Sequence, residues 1–395
     1  MRIVFVVPEL PHPPFTGAHT RPLSMIKALA LSHSVVAVGA APPDADLALM
    51  HELCAHVLSG THQTAARSPA HAALSTLRRS LSPVPFISQS QSAVLQELVS
   101  EAVQRHQPAA VQLEGMYTSH YRDPAVPTVL DLPDVVSSLC AAAFAARPIR
   151  YAFAGAQQYA AQRAERRLLR EFAAVIAINE LDRGRLAGLG IDAVTVPLAI
   201  TAPSDSELTQ AAPPTVSPER PLNLLFVGSF LHQPNRVASM WLERRLAPEL
   251  RRRGLPFRLT IAGRQARPYG GRRYPDVVFC ADAPDLAPLY AAADVVLVPL
   301  EHGGGTKNKT LEAMAWARPV VGTAQAFTGL AAAPDNAFAL CPLDATAMAA
   351  TLEALARDPQ RRAEMGAAAR RHVLEYHGQE RVNELMQHIY AQIAR

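Results

Sequence analysis

Cysteine is scarce in this chain. The four present, Cys54, Cys140, Cys280 and Cys341, stand far apart in apolar surroundings. That spacing excludes a disulfide framework or a cysteine-rich metal knot and points to a reducing compartment, with each thiol a small core residue. Long hydrophobic runs are missing too. No stretch of 18 apolar residues occurs, so no membrane-spanning helix is expected. The amino terminus offers one basic residue, Arg2, and a short apolar run that meets Pro8 and Glu9; this suits a first strand and is too short for a signal peptide. The expectation is a cytoplasmic protein, at most peripheral on the inner face of a membrane. Neither sign of charge dominates: 38 Lys+Arg face 34 Asp+Glu, a net +4, which suits small anionic ligands and is too weak to argue for nucleic acid. The basic clusters Arg251-Arg252-Arg253 and Arg166-Arg167 fall in amphipathic stretches, as solvated helix faces or as contacts to anionic lipid headgroups. No Asp-x-Asp pair in a cleft-like context and no His/Cys ligand cluster is evident, so no metal is expected.

What is there is an alternation of buried strands and helices. At 395 residues and 49% hydrophobic content, the chain can fill two cores. Ile3 to Val7 reads as a buried strand, the proline-rich PELPHPPFTGAHT as a loop, and Arg21 to Leu31 as a helix, together the first unit of a doubly wound α/β domain. Val35 to Val38, Ala109 to Leu113, Thr128 to Leu132 and Val175 to Ile178 read as further strands, with helices at Ser92 to His106, Arg150 to Glu171 and from Asn179 onward. Pro42 to Pro85 is alanine-rich without a clear period. Ile200 to Pro221 is rich in Pro, Ser, Thr and Ala and reads as a linker. A second α/β domain follows, with strands Leu222 to Val227, Phe257 to Ala262, Val277 to Cys280, Ala293 to Leu300, Val320 to Gly322 and Phe338 to Cys341. Its helices read as Val237 to Arg252, Ala345 to Arg357 and Pro359 to Tyr376, with a last one at Gln379 to Ala394. The boundaries expected are therefore 1–200, a linker at 201–221, a domain at 222–375 and a final segment at 376–395.

The most informative stretch is Glu301 to Ala317, EHGGGTKNKTLEAMAWA. It follows the apolar run ADVVLVPL, whose lack of alternation suits a strand buried on both faces, and Leu311, Met314 and Ala315 fall at helical spacing. A strand, a glycine loop (Gly303, Gly304, Gly305, then Thr306) and a helix N-terminus in succession direct N–H groups and the positive end of the helix dipole at one place, which holds anions and most often phosphate. Lys307 and Lys309 add two charges there. Lysine at a helix start opposes the dipole, and an anion at that turn accounts for its placement. Because Asn308 precedes Lys309, the loop is not a P-loop. Glu312, one turn in, is placed for ribose hydroxyls or is an ordinary first-turn acid. Arg264, just past a strand's carboxyl end, is a phosphate or base contact or a surface arginine. In the first domain two polar stretches, Glu114 to His120 and Asp131 to Asp134, stand at strand ends, where acids suit hydrogen bonds to sugar hydroxyls; Asp134 is such a partner or a cap for the helical run from Val135.

Gly303 to Ala315, with the strand before it and Arg318-Pro319-Val320-Val321 after, resembles the nucleotide-sugar loop of retaining glycosyltransferases of the GT-B fold. The closest similarity is to glycosyltransferase family 4, in its branch reading G-G-G-T-[RK]-x-K-x-L-E-A-M-A. VGSFLHQPN, with Gly228, Ser229 and Asn235, resembles the VGS-x-x-x-x-PN entry of the same branch. The resemblance implies two Rossmann-like doubly wound domains facing each other across a cleft. It assigns the donor nucleotide sugar to the second domain, the nucleobase to the backbone at Ala281 and Asp282, the acceptor side to the loop with Gly17, Ala18 and His19, and the last helix to the first domain. Two departures stand out. Gly304 occupies the place of the first glutamate of the family's pair, and Pro133 that of its usual histidine, for which Asp134 or His120 would stand in. No Arg or Lys lies between Gly228 and Asn235, so the diphosphate falls to Lys307 and Lys309.

The chemistry so implied is transfer of a sugar from a nucleotide-diphosphate sugar to an acceptor hydroxyl, with retention and with neither metal nor other cofactor. The acceptor is a glycan, a lipid-linked molecule or a small metabolite. Rival readings are a nucleotide-sugar epimerase of the same fold, an inverting transferase with His19 or His120 as base, and a non-catalytic nucleotide-sugar-binding protein.

Overall fold

The computed structural model describes residues 1–13, 17–61, 92–146, 152–209, 216–217, 219–269, 274–330 and 333–394. The chain divides into two compact units, Met1–Ala199 with Gln379–Arg395, and Ile200–Gly378. Parts of four expected segments lie outside the described residues: 14–16 of the proline-rich loop, 62–85 of the alanine-rich stretch, the start of the charged helix at 150–151, and 210–215 and 218 of the linker.

The first unit holds a seven-stranded sheet of β1 (Arg2–Glu9), β2 (Ser34–Ala40), β3 (His56–Gly60), β4 (Ala110–Glu114), β5 (Thr128–Leu132), β6 (Ala174–Ala177) and β7 (Val194–Thr195). Its spatial order is β3-β2-β1-β4-β5-β6-β7, and every pairing is parallel. Alternate residues of β1 enter different cores, as the two-residue period of a strand requires. Val4 and Val6 pack with Leu95, Val99 and Ala102 of helix Ala93–His106. Ile3, Phe5 and Val7 pack with Met25, Ile26 and Leu29 of helix Gly17–Ala30 and with Val382, Met386, Ile389 and Tyr390 of helix Gln379–Ile393. Both faces are thus covered, which is why β1 is an unbroken apolar run. Each fully buried Leu, Ile, Met or Phe contributes about 1.5–3 kcal/mol to this packing.

The second unit holds β8 (Leu222–Val227), β9 (Phe257–Gly263), β10 (Val277–Ala281), β11 (Val295–Val298), β12 (Val320–Gly322) and β13 (Ala339–Leu340). They lie in the order β10-β9-β8-β11-β12-β13, again all parallel. Sheets of this kind bind ligands beyond the carboxyl ends of the strands, where the strand order reverses direction. The reversal falls between β1 and β4 in the first unit and between β8 and β11 in the second.

Several helices differ from the sequence-based expectation for identifiable reasons. The first begins at Gly17, ahead of Arg21, and carries Pro22 inside it; so early in a helix the ring costs one ladder bond. The helix after β8 begins at Gln233, with Pro234 in its first turn, a position proline suits because those N–H groups lack helical partners anyway. It widens into a π-helical turn at Leu242–Leu246 before continuing through Ala247–Arg252. Within the expected linker, Asp205–Thr209 forms a short helix, and Arg370 donates to the Pro203 carbonyl at 2.9 Å and to Asp205 at 3.2 Å.

Candidate functional site

In the second unit the two turns at the reversal point are built from glycine. β8 runs into Gly228-Ser229, and β11 leads through Gly303–Gly305 to helix Asn308–Ala315. Gly305 has φ 59° and Gly303 φ 142°, conformations that side chains resist. At Gly228 a Cβ would come within 2.8 Å of the Asn235 side chain and 2.9 Å of Lys309 Nζ. Glycine there lets the lysine reach the turn.

Lys309 is the centre of the arrangement. Its ammonium donates to Asn235 Oδ1 at 2.6 Å and lies 4.5 Å from the centroid of the Phe226 ring. Asn235 Nδ2 in turn donates to the Ser229 carbonyl at 2.8 Å. This chain of bonds joins the turn after β8 to the helix after β11. Burial lowers the Lys309 pKa to about 7; Glu312 opposes the drop and Lys307 adds to it. A cation so poorly solvated gains from any anion brought beside it. Glu312 is pushed up by burial, against a 2.7 Å hydrogen bond from the Tyr290 hydroxyl and the charge of Lys309.

Lys307 has a different task. It occupies the N-cap position of helix Asn308–Ala315 without a side-chain cap, and its ammonium donates to the carbonyls of Gly304 at 2.5 Å and Gly305 at 2.6 Å. Its charge therefore organises the loop, so its clash with the helix dipole does not by itself call for an anion. Gln325 Nε2 donates to the Gly303 carbonyl, anchoring the same loop, while Thr306 and Gly304 are half-buried. Leu311 and Met314 fix the helix by burying their side chains completely.

Arg264, Ala281 and Asp282 are exposed at the ends of β9 and β10. The Arg264 carbonyl accepts from Phe230 N at 2.9 Å, and Asp282, at φ 50°, accepts from Gln265 N at 3.0 Å. These bonds tie the two strand ends together beside the Gly228 turn.

In the first unit the reversal point is more acidic. Arg21 donates to both oxygens of Asp131, at 2.8 and 2.6 Å, and to the Val196 carbonyl at 2.9 Å. Glu114, at the end of β4, is raised to about 8 by burial, with Asp131 adding and Arg21 opposing; near neutrality it is a carboxylic acid able to donate. Tyr117 is raised by burial and by Glu114, Asp131 and Asp134, which places Asp134 in this acidic group. His120 is half-buried, its ring 3.8 Å from that of Tyr121, and burial lowers its pKa against a backbone hydrogen bond at Tyr117.

At the helix for which Asp134 was considered as a cap, another acid takes part. Helix Val136–Ala146 begins two residues later, and the N–H of Ser137 is taken by the buried Glu165 at 3.1 Å. A carboxylate from another helix satisfies this terminus.

A correction concerns ligand clusters, none of which was evident in the sequence. Glu9, His12 and His19 bring one ligand atom each within 4.8 Å of one another. Gly17 and Ala18 are exposed at the helix start, whereas His19 is buried, and its pKa is lowered by burial first and by His12, against Glu9. Glu114 and Asp131 head the two polar stretches expected at strand ends, whereas Glu9, His12, Arg21 and Tyr290 escaped the sequence-based site; of these four, only the position of Glu9 at a strand carboxyl end is a signal in the sequence.

Two Rossmann-like units, each built on an all-parallel sheet with polar groups at its reversal point, give the chain a GT-B fold. Residues 221–358 match the family described as glycosyl transferases group 1. A search of curated sequences finds no match. Among solved structures, the chain is similar to a sucrose-phosphate synthase from Thermosynechococcus elongatus, with 16% identity, TM-score 0.70 and coverage of 100% of this chain and 99% of that one. It is also similar to HepE of Anabaena in complex with UDP, with 15% identity, TM-score 0.61 and coverage of 99% and 100%. A third is the trehalose-6-phosphate synthase OtsA, with 12% identity, TM-score 0.64 and coverage of 100% and 99%.

Proposed function

We propose that this protein transfers a sugar from a nucleotide-diphosphate sugar to an acceptor hydroxyl, with retention at the anomeric carbon and without a metal at the diphosphate. The observation that carries the reading is Lys309, a half-buried, poorly solvated lysine held by Asn235 between two glycine turns at the strand reversal. The family match over 221–358 supports the activity. HepE is solved with UDP-glucose and trehalose-6-phosphate synthase with UDP-2-fluoro glucose, which makes a uridine diphosphate sugar the first donor to try.

As the diphosphate leaves, negative charge develops on its oxygens, and Lys309 with the N–H groups of the helix start stabilises it. Lys307 keeps the loop in shape for this through the Gly304 and Gly305 carbonyls. Glu312, set by Tyr290, receives the ribose hydroxyls, and the backbone at Ala281 and Asp282 receives the base. The acceptor attacks on the face the diphosphate leaves, and a phosphate oxygen takes its proton, so no protein nucleophile is needed. The first unit takes the acceptor, a glycan, lipid-linked or small molecule, with Asp134, His120 and the neutral acid of Glu114 as hydroxyl partners. No helix among the described residues is long and apolar enough to cross a membrane; we assign the protein to the cytoplasm, with a lipid-linked acceptor met at the membrane surface.

The test is thermal stability in EDTA with UDP, GDP, ADP, CMP and dTDP and their sugar conjugates, where a ligand at 100 times its Kd adds about 2.7 kcal/mol. One diphosphate class raising the midpoint supports the donor site; no shift with any of them refutes it. Consumption of donor without acceptor would point to an epimerase, and the anomer of the product, read by NMR, decides retention.

A further inference from the structure

We propose that Glu9, His12 and His19 bind a single divalent transition-metal ion of the zinc class at the carboxyl end of β1. The two histidine Nε2 atoms face the same oxygen, Glu9 Oε1, at 3.1 Å for His12 and 3.6 Å for His19. A tetrahedral ion with bonds of about 2.0–2.1 Å holds its donors about 3.3–3.4 Å apart, so these two separations bracket the required edge. The third edge is at most 4.8 Å, and His12, the less buried of the two rings, is the one with room to shorten it. The rings stand 5.1 Å apart and tilted by 52°, converging through their edges.

The hydrogen-bond pattern points the same way. His12 Nδ1 lies 2.9 Å from the Pro13 carbonyl. A carbonyl only accepts, so Nδ1 carries a proton, and in the neutral ring Nε2 is left with a lone pair. Nε2 sits 3.1 Å from a carboxylate oxygen, a pair that is joined either by a ring proton, in the imidazolium, or by a metal cation between them. A ring nitrogen bonded to a backbone carbonyl behind a metal-facing nitrogen is also how ligating histidines are oriented. Two imidazoles and one carboxylate form a zinc donor set with an open fourth position, whereas magnesium and calcium favour all-oxygen sites. The Glu9 side chain is 53% exposed and that of His19 5%, so the site opens to solvent on the carboxylate side, where a water or a ligand oxygen completes it. This site belongs to the first unit and is independent of the lysine-based donor reading.

The experiment uses the full chain, stripped with EDTA, returned to chelator-free buffer and titrated with Zn²⁺ alone against a chromogenic chelator, with Co²⁺ as the spectroscopic probe. Wild type is expected to bind one equivalent and to give a four-coordinate Co²⁺ spectrum. His12→Ala and Glu9→Gln, both at positions that do not hold the core, are expected to weaken binding at least about tenfold, since even outer-shell changes cost 10- to 100-fold. His51→Ala, at an exposed histidine of helix Ala48–Leu53, is expected to leave binding unchanged. Urea midpoints confirm that the variants are folded. If folded wild type retains no more Zn²⁺ than His12→Ala, or if His51→Ala loses as much, the three side chains share only protons and the proposal falls.

Discussion

Replacing Lys309 with methionine keeps the length of the side chain and removes its charge, and the structure gives this change opposite effects on stability and on binding. The fall from the ordinary 10.5 to about 7 corresponds to about 4–5 kcal/mol of disfavoured charging at 1.36 kcal/mol per pH unit. Part of the Lys309 side chain keeps contact with solvent, so the lower end applies. Methionine also leaves Asn235 Oδ1 without its donor, which costs about 1–3 kcal/mol. The net expectation at pH 6 is a variant more stable than wild type by about 1–3 kcal/mol. The sign with pH follows from linkage: a lysine depressed in the folded state loses its proton near pH 7 while the unfolded chain keeps one to 10.5, so wild-type stability rises over that interval. The advantage of the variant should therefore shrink from pH 7 toward pH 10. The assay is urea denaturation of both proteins at pH 6 and 9.5, beside calorimetric titration of the donor diphosphate. Diphosphate binding should vanish in the variant. A variant less stable at pH 6 that still binds diphosphate would refute the reasoning, because the charge would then be compensated within the protein and irrelevant to the ligand.

Lys307→Ala, which frees the Gly304 and Gly305 carbonyls, should lower kcat by roughly 10²- to 10³-fold, the scale of losing one preorganised stabilising group, as read by donor turnover with saturating acceptor. Gly228→Ala places a methyl against Asn235 and Lys309 Nζ; donor affinity should fall at least about tenfold while the melting midpoint moves by only a few degrees. Arg21→Met strands the fully buried Asp131 and should cost about 3–5 kcal/mol in urea denaturation, with Asp131→Asn in the same chain recovering part of it.

The strands that matter most were legible because burial on both faces makes them mainly apolar: β1, β5 and β8 appear within a residue or two of their expected bounds. The glycine loop and its lysines were equally visible, since turn chemistry and charge are local properties. What stayed hidden depends on contacts across the chain. Tyr290 bonds Glu312 from 22 residues away, Glu165 accepts from Ser137, 28 residues earlier in the first turn of another helix, and Arg21 meets Asp131 across 110. Glu9, His12 and His19 are close in sequence, but they come together because Glu9 ends β1 and His19 lies in a helix that starts at Gly17, inside the stretch expected as a loop. The short edge strand β7, two residues long, carries too little pattern to be read, whereas β13, equally short, falls inside the expected Phe338 to Cys341.

The helix Gln379–Ile393 belongs to the first unit, although the 179 residues of 200–378 that form the second are made before it. Until it arrives, Met25, Ile26 and Leu29 lack the Val382, Met386 and Ile389 that cover them, and Gln112 lacks the 2.7 Å bond from Tyr390. At roughly 5–20 residues per second of synthesis, the ribosome takes on the order of 10–40 s to deliver this last piece. During that interval the amino-terminal half is an open core waiting on the carboxyl terminus, and a chaperone that shields one apolar face would find its client there. A nascent chain halted near residue 378 should thus be sensitive to proteases in its first half, not its second.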